Sequence, residues 1–292
     1  MMHIVMILVV LGTALGLRIL DNVVNTGEPQ AWQQRWRRAL VCLMLPPLLF
    51  VTTALAVVWM GPQGEMLGHP TGWIGYGLAW GFLIWSLVLS IMLGIQAWRT
   101  SRQVHQWERI NWQGVTARKI DSSALFCAQV GFWKPELVVS RGLIESLSPE
   151  AQQAVLIHEQ AHATYQDTFW FFWLGWCRRL TQWLPRTEFF WQELLLLREL
   201  RADQQAAQQA DPLVLAETLL LMAQEQLSAP EFTAGSELHY AAFSCMMPTP
   251  NRLTERVNAL FAEPVTHTAN PVWIIWTLGF ALLPLITVPL HT

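Results

Sequence analysis

Long apolar runs separated by short polar segments dominate the chain. A helix needs about 20 mostly apolar residues to cross a bilayer. Stretches of that length occur at Met2–Leu20, Ala39–Met60, Gly72–Trp98 and Pro271–Leu290. Pro46 and Pro47 lie within the second stretch and predict a kink there. The pattern therefore predicts four transmembrane helices, three before and one after a long mixed segment.

The first stretch has the position of a secretory signal peptide, but we interpret it as a retained anchor. It has no positively charged start and no convincing small-residue cleavage site. Its only charge, Arg18, lies near its far end. We therefore expect it to remain in the membrane.

The mixed segment between the third and fourth stretches predicts a small folded domain. Residues 100 to 120 are polar with scattered apolar positions, which suggests a helical or linking approach from the membrane. Within Ser123–Ser140, two short apolar runs flank Gly-Phe-Trp-Lys-Pro and predict two strands joined by a turn, with Leu137–Val139 as the clearer strand. A small β-sheet is therefore expected near residue 130.

Helices are predicted for most of the rest of this segment. Ser148 as N-cap, Pro149 at the first position and Glu150 in the first turn predict a helix start. The aromatic stretch Phe169–Trp176 is too short to span a bilayer, so it lies against the bilayer surface or packs on the transmembrane helices. A long helix then runs from about 187 to 210 and ends before Asp211-Pro212.

Composition favours the same membrane interpretation. Hydrophobic residues make up 53% of the 292 residues and charged residues 13%, too few charges to cover the surface of a soluble protein well. The net charge of −3 gives no indication of nucleic-acid binding. The cysteines lack metal-type spacing, and we expect them to be small buried residues: Cys42, Cys127, Cys177 and Cys245.

The distribution of Lys and Arg predicts the orientation, since these residues are enriched in cytoplasmic loops. The first loop carries Arg35, Arg37 and Arg38, and residues 61 to 71 carry none. Five basic residues lie at positions 99 to 119, directly after the third stretch, and no Lys or Arg follows Arg256. This predicts an external N-terminus and a cytoplasmic segment. The predicted domains are 1–99 with three transmembrane helices, 100–265 in the cytoplasm, and 266–292 with the fourth helix and a short tail.

The segment carries an HExxH motif. Residues four apart lie on one face of a helix, so His158 and His162 can bind one zinc ion with Glu159 beside them as a base toward water. A helix that happens to carry two histidines gives the same pattern. The third ligand of a catalytic zinc has Glu199 as its first candidate and Glu193 as an alternative.

The helix that carries Glu199 offers two further assignments. Asp203 shares a face with Glu199 and is predicted to orient a ligand histidine through its other ring nitrogen. Either acid could instead form a surface salt bridge with Arg198 or Arg201.

Several of these motifs together resemble a known family. They are Gly131-x-x-x-Pro135, Leu-Ser-Pro-Glu, the HExxH with Asp167 five residues on, Glu-x-x-x-Asp, and the Arg-containing stretch Pro248–Leu260. Over roughly residues 100 to 262 they resemble the integral-membrane metallopeptidases of the BlaR/MecR type, relatives of the HtpX and CAAX prenyl protease gluzincins. The arrangement of three spans, domain and fourth span is similar too.

The resemblance implies a mainly α membrane protein of the bacterial plasma membrane, with a gluzincin-like, α-rich metalloprotease domain and a small β-sheet. It implies Glu199 as third zinc ligand, a supporting role for Asp167, a cytoplasmic active site and a protein substrate such as a transcriptional repressor. The family's external penicillin-binding domain has no counterpart here, so antibiotic sensing is not expected. Its His before the Arg-containing stretch is replaced by Met246-Met247, and His239 and His267 lie nearby.

The resulting expectation is a membrane-bound zinc endopeptidase with one zinc ion. If Leu137, Val138 and Val139 form an exposed edge strand, substrate would add beside them as an extended chain. An HtpX-like quality-control protease and a non-catalytic membrane scaffold are the alternatives. An intramembrane protease is excluded because the residues flanking the HExxH are too polar to span.

Overall fold

A computed structural model describes residues 11–16, 18, 31–62, 65–66, 69–70, 72–228, 250–262, 272–286 and 288. Residues 11–16 are helical. The later helices are α1 (Trp32–Met60), α2 (Trp73–Gln106), α3 (Arg141–Ser146), α4 (Pro149–Thr164), α5 (Asp167–Leu180), α6 (Thr187–Ala207), α7 (Pro212–Ser228), α8 (Pro250–Leu260) and α9 (Val272–Ile286). The strands are β1 (Glu65–Met66), β2 (His69–Pro70), β3 (Glu108–Trp112), β4 (Val115–Ile120), β5 (Cys127–Val130) and β6 (Glu136–Ser140).

Two of the described helices, α1 and α2, are long and apolar enough to cross a membrane. They contain the second and third predicted spans, although α1 begins at Trp32 rather than Ala39 and α2 ends at Gln106 rather than Trp98. α1 continues through Pro46 and Pro47. At 1.5 Å per residue the two helices are about 44 Å and 51 Å long, which exceeds a hydrocarbon core of about 30 Å.

The four-span prediction is not supported beyond these two helices. Most of Met2–Leu20 lies outside the described residues. In the fourth stretch, α9 has 15 residues, fewer than the roughly 20 that a span requires. α9 nevertheless packs along α1, where the Thr52 hydroxyl donates to the Ala281 carbonyl at 2.7 Å.

Contacts within the chain divide it into two compact units. Unit 1 comprises residues 1–92, 173–194 and 266–292, and unit 2 comprises residues 93–172 and 195–265. Unit 2 overlaps the predicted domain 100–265, but residues 173–194 group with the apolar helices. α5 and α6 therefore each begin in one unit and end in the other.

The second half of the aromatic stretch packs on the apolar helices of unit 1. The indole N–H of Trp176 donates to the Ser86 carbonyl of α2 at 3.3 Å. In the turn that follows α5, Trp183 packs against Phe50 of α1 in a tilted arrangement, with ring centroids 5.8 Å apart. Arg18, which is 1% exposed, donates to the Pro185 carbonyl at 2.9 Å and so fixes the same turn. The sequence predicts that this stretch either lies against the bilayer surface or packs on the apolar helices, and its second half does the latter.

Unit 2 contains a four-stranded sheet with the order β3-β4-β6-β5. β4 pairs with β6 in parallel, and the two outer pairs are antiparallel. The predicted strand pair within Ser123–Ser140 is confirmed as β5 and β6. Both faces of β6 are buried: Leu137 and Val139 pack in one apolar cluster, and Val138 packs in another with Val104 of α2.

The sequence prediction missed the β3–β4 hairpin. Residues 100–106 continue α2 as expected, but residues 108–120 form two strands with Trp112 opposite Val115. The two loop residues between them, Gln113 and Gly114, have φ of 52° and 82°. Two-residue hairpin loops of this kind require positive φ at both positions, and Asn-Gly is their strongest signal. Gln-Gly is a weaker form of that signal, which explains the omission.

Candidate metal centre

The HExxH motif lies in the last two turns of α4. This helix begins as predicted: Ser148 is the N-cap, its hydroxyl accepts from the Ala151 N–H, and Pro149 occupies the first turn. Gln152 fastens α4 to its surroundings, because it accepts from the Trp112 indole at 2.8 Å and donates to the Leu147 carbonyl at 2.9 Å. The motif is therefore presented by a helix that is fixed at its start and against the sheet.

The two imidazoles of the motif face each other. His158 Nε2 and His162 Nε2 are 3.1 Å apart, and both side chains are buried. Each Nδ1 faces a carboxylate: His158 Nδ1 lies 2.9 Å from Asp203 Oδ1, and His162 Nδ1 lies 2.8 Å from Asp167 Oδ2. The His158–Asp203 contact has an ion-pair distance but not the geometry of a well-formed hydrogen bond. The Nε2 atoms are thus left pointing toward a common point.

Glu199 of α6 completes this group. Its Oε2 is 3.4 Å from His158 Nε2, and its Oε1 is 3.7 Å from His162 Nε2. The alternative, Glu193, lies on the same helix but pairs with Arg35 of α1 at 2.6 Å within unit 1. Of the two acids that the sequence offered, Glu199 is the one beside the imidazoles.

These three side chains fit a zinc ion. A tetrahedral site with zinc–nitrogen distances of 2.0–2.1 Å puts neighbouring ligand atoms about 3.3–3.4 Å apart. The three separations here, 3.1, 3.4 and 3.7 Å, lie around that value. A neutral imidazole that uses Nδ1–H as donor has a lone pair on Nε2, so two such atoms at 3.1 Å need a cation or a proton between them.

Glu159 also lies close to both histidines. Ligand atoms of His158, Glu159 and His162 are all within 4.8 Å of one another, so this trio by itself could hold a metal. We favour Glu199 over Glu159 as third ligand, because its oxygens are 3.4 and 3.7 Å from the imidazoles. Glu159 instead accepts the Gln129 backbone N–H of β5 at 3.1 Å, which holds its carboxylate toward the sheet.

Three buried or largely buried guanidinium groups surround the carboxylates. Arg256 of α8 donates to both oxygens of Asp203, at 2.7 and 2.8 Å, and Arg198 donates to Glu199 at 2.6 Å. Arg201 pairs with Asp167. The salt bridge between Glu199 and Arg198 that the sequence suggested is therefore present, but it is buried and it lies beside the imidazoles.

These arginine contacts determine the ionisation of the site. Burial raises the pKa of Glu199, but the charges of Arg198, His162 and Arg256 together outweigh it and hold the pKa well below its usual value. Burial likewise raises the pKa of Asp203, and Arg256 lowers it. Both acids are therefore anionic at neutral pH, as a metal ligand and its supporting residue must be.

The pKa values of the motif residues follow the same balance. Burial lowers the pKa of His158, but Asp203 and Glu199 outweigh it and raise the pKa to about 10. Burial raises the pKa of Glu159, and the neighbouring imidazoles only partly offset this effect. The raised pKa of His158 means that the surrounding carboxylates, Asp203 and Glu199, favour a positive charge at the imidazoles. A cation at the two Nε2 atoms would be electrostatically favoured.

The predicted substrate-binding strand is wrong in one respect. Leu137, Val138 and Val139 belong to β6, which is paired on both sides, so its backbone is not free to accept another strand. The uninterrupted apolar run of β6 is typical of a strand that is buried on both faces. The edge strand beside the site is β5, since Gln129 reaches Glu159 from it.

Sequence reasoning did not assign roles to Gln129 or to the arginines, apart from the salt bridges considered for Arg198 and Arg201. The sequence signal for Arg256 is the stretch Pro248–Leu260, which carries the family resemblance but does not indicate which residue Arg256 contacts. His239 and His267 lie outside the described residues, as does Cys245. The other three cysteines are buried, as expected.

Comparison with known proteins identifies no relative. No family model, no curated protein and no solved structure matches the chain. The function is therefore argued from the residues and geometry of the site.

Proposed function

We propose that the chain is a membrane-bound zinc endopeptidase. The observation that carries the proposal is the convergence of His158 Nε2, His162 Nε2 and the Glu199 carboxylate within 3.1–3.7 Å of one another in a buried site. Two imidazoles and one carboxylate with a position left for water form the ligand set of many zinc peptidases.

His158, His162 and Glu199 would hold the ion. Zinc, when bound there, supplies a Lewis acid that polarises water and the substrate carbonyl. Asp203 and Asp167 fix the two imidazoles through their Nδ1 atoms, an arrangement that sets the tautomer and the direction of each ring. Arg256 and Arg201 in turn hold these two aspartates.

Glu159 is the general base and acid of the proposed reaction. Its buried carboxylate accepts a proton from the attacking water and returns it to the leaving amine. The Gln129 N–H anchors one of its oxygens at 3.1 Å, which leaves the other oxygen for proton transfer. A buried carboxylate with a raised pKa suits this role, because a higher pKa makes it a stronger proton acceptor than an exposed carboxylate.

The proposed substrate is a polypeptide bound in extended form along β5. An edge strand offers unpaired backbone groups to which another strand can add. Gln129 and Glu159 are in direct contact, so a chain beside β5 passes next to the proposed base. The resemblance to BlaR/MecR-type peptidases suggests a cytoplasmic regulatory protein, such as a transcriptional repressor, as this substrate.

The proposed location is the bacterial plasma membrane, with four spans, an external N-terminus and a cytoplasmic site. The most apolar window of α2 is only 11% buried within the protein. A core helix of a soluble protein would be covered, so the exposed apolar surface of α2 favours lipid as its surroundings. The Lys and Arg distribution supports the orientation.

The test compares protein N-termini in cells that express the wild type or Glu159→Gln. This variant keeps the three ligands and removes the base, and zinc content is measured for both proteins. Glu145→Gln, at an exposed position of the same unit, is the matched control. New N-termini that depend on Glu159 identify the substrates. A repressor among the substrates favours a regulatory protease, and damaged membrane proteins favour a quality-control protease. Bound zinc without any Glu159-dependent cleavage would overturn the proposal and favour the scaffold alternative.

A further inference from the structure

Five aromatic side chains of unit 2 form one continuous cluster. We call it the aromatic platform, and it consists of Phe132, Trp133, Phe169, Trp170 and Phe172. Its ring centroids are 4.5 Å apart for Phe132 and Phe172, and 5.3 Å apart for Trp133 and Phe169. It joins the β5–β6 loop to the start of α5.

Much of the aromatic platform is exposed. Trp133 is 77% exposed and Trp170 is 54% exposed. Large aromatic side chains of a folded domain are normally covered, and exposed apolar patches of this kind mark surfaces that contact another molecule or a membrane. We therefore expect the aromatic platform to contact an apolar partner.

The loop that carries Trp133 is tightly closed, so the ring is held outward. Gly131 has φ of 134°, and a Cβ at this position would approach the Lys134 carbonyl oxygen and the Pro135 Cα to 3.1 Å each. Phe132 packs beneath against Phe169 and Phe172. The exposure of Trp133 is thus a consequence of a constrained turn rather than of an unpacked chain.

Two features point to a lipid surface as the partner. Lys134 at the tip of the loop is exposed beside Trp133, and a cation next to an indole suits the anionic headgroup region of a bilayer. The second feature is continuity: α5 carries Trp170 and extends to Trp176, whose N–H donates to Ser86 in the apolar helix α2.

We propose that the aromatic platform binds the interface of an anionic phospholipid bilayer. Trp133 and Trp170 insert at the boundary between headgroups and acyl chains, and Lys134 contacts lipid phosphate. Gln129 and Asp167, which contact the proposed base and a proposed zinc ligand, lie within four residues of the platform in sequence. The platform therefore keeps the candidate centre at the membrane surface.

The test measures the depth of spin labels on the full chain in nanodiscs of phosphatidylcholine and phosphatidylglycerol. Labels are placed by Trp133→Cys or Trp170→Cys in a Cys245→Ser background, because the other three cysteines are buried. Glu145→Cys, exposed in the same unit, is the control. We expect the ratio of oxygen to nickel-chelate collisions to be several-fold higher at positions 133 and 170 than at 145. Equal ratios at all three positions would overturn the proposal.

Lipid charge and substrate provide two further discriminating measurements. Replacing phosphatidylglycerol by phosphatidylcholine, or Lys134 by Gln, is expected to make the label at position 133 shallower; an unchanged depth would overturn the headgroup contact. If the platform instead binds substrate side chains, Trp133→Gln lowers kcat/KM for a soluble peptide. The label at position 133 then shows the collision ratio of a water-exposed site, and this outcome would overturn the proposal. The depth measurement does not depend on peptidase activity, so its result stands if the proposed function fails.

Discussion

The ion pair between Asp203 and Arg256 offers the sharpest test of the site. Asp203 is 1% exposed and Arg256 is 8% exposed, and two hydrogen bonds of 2.7 and 2.8 Å join them. Asp203→Ala leaves the buried guanidinium without this carboxylate, and only the longer contact of 3.4 Å with Glu199 remains. Breaking a buried pair in this way costs about 3–5 kcal/mol. For a chain of this size, 1 kcal/mol corresponds to about 2–4 °C in Tm, so we expect a loss of about 6–20 °C.

The assay is thermal unfolding in detergent, with EDTA and with zinc. In EDTA no metal contributes to either protein, so the loss reports the contacts of Asp203 with Arg256 and with His158. With zinc we expect an additional difference, since the loss of a carboxylate that orients a ligand histidine weakens metal binding by about 10–100-fold. The matched control is Asp121→Ala, which removes an Asp–Arg pair of 3.2 Å that is exposed on the surface, and it should change Tm little.

A double variant separates the ion pair from other effects of Asp203. Asp203→Leu combined with Arg256→Met removes both charges, and replacement of a buried pair by apolar residues is often neutral. We therefore expect the double variant to regain a large part of the lost Tm in EDTA. A wild-type Tm for Asp203→Ala, or a double variant as unstable as the sum of its single changes, would refute the reasoning.

Two further predictions concern the framework of unit 2. A Cβ at position 142 would lie 1.9 Å from the Ser123 carbonyl oxygen, so we expect Gly142→Ala to destabilise the protein by about 2–3 kcal/mol or more in thermal unfolding. The control is Gly94→Ala, which has open space around the added Cβ and should not destabilise the protein. Equal melting temperatures for the two variants would contradict the predicted clash. The hydrogen bonds from Arg118 lower the pKa of Glu136. The stability that this pair contributes, about 1 kcal/mol, is therefore present above about pH 4.5 and is lost as the pH falls through the lowered pKa. We expect Glu136→Gln to remove this pH-dependent contribution, and unfolding midpoints with the same pH dependence in both proteins would argue against it.

Local patterns predicted the elements whose cause is local. The start of α4 follows from Ser148 and Pro149, whose capping contacts involve only the next few residues. The apolar length of α1 and α2 follows from composition alone. The turn at Gly131 separates β5 from β6 for the same kind of reason, because its positive φ suits glycine.

Strand order could not be derived in this way. The run Leu137–Val139 indicated a strand, but its place beside β4 depends on a parallel pairing with residues about 20 positions earlier. The exposed edge was therefore assigned to β6 instead of β5. The hairpin at Gln113-Gly114, which has only a weak sequence signal, supplies β3 and β4. Because β4 pairs with β6, missing this hairpin made β6 look like an edge strand.

For the candidate site, the sequence by itself determined the pair His158 and His162 and the position of Glu159, because one turn of helix sets their spacing. It also offered Glu199 and Glu193 without deciding between them from spacing alone. Only the tertiary structure decided that Glu199 faces the imidazoles, while Glu193 pairs with Arg35. The physical reason is that contacts between α4, α6 and α8 depend on how separate helices pack, and helical periodicity carries no information about partners distant in the chain.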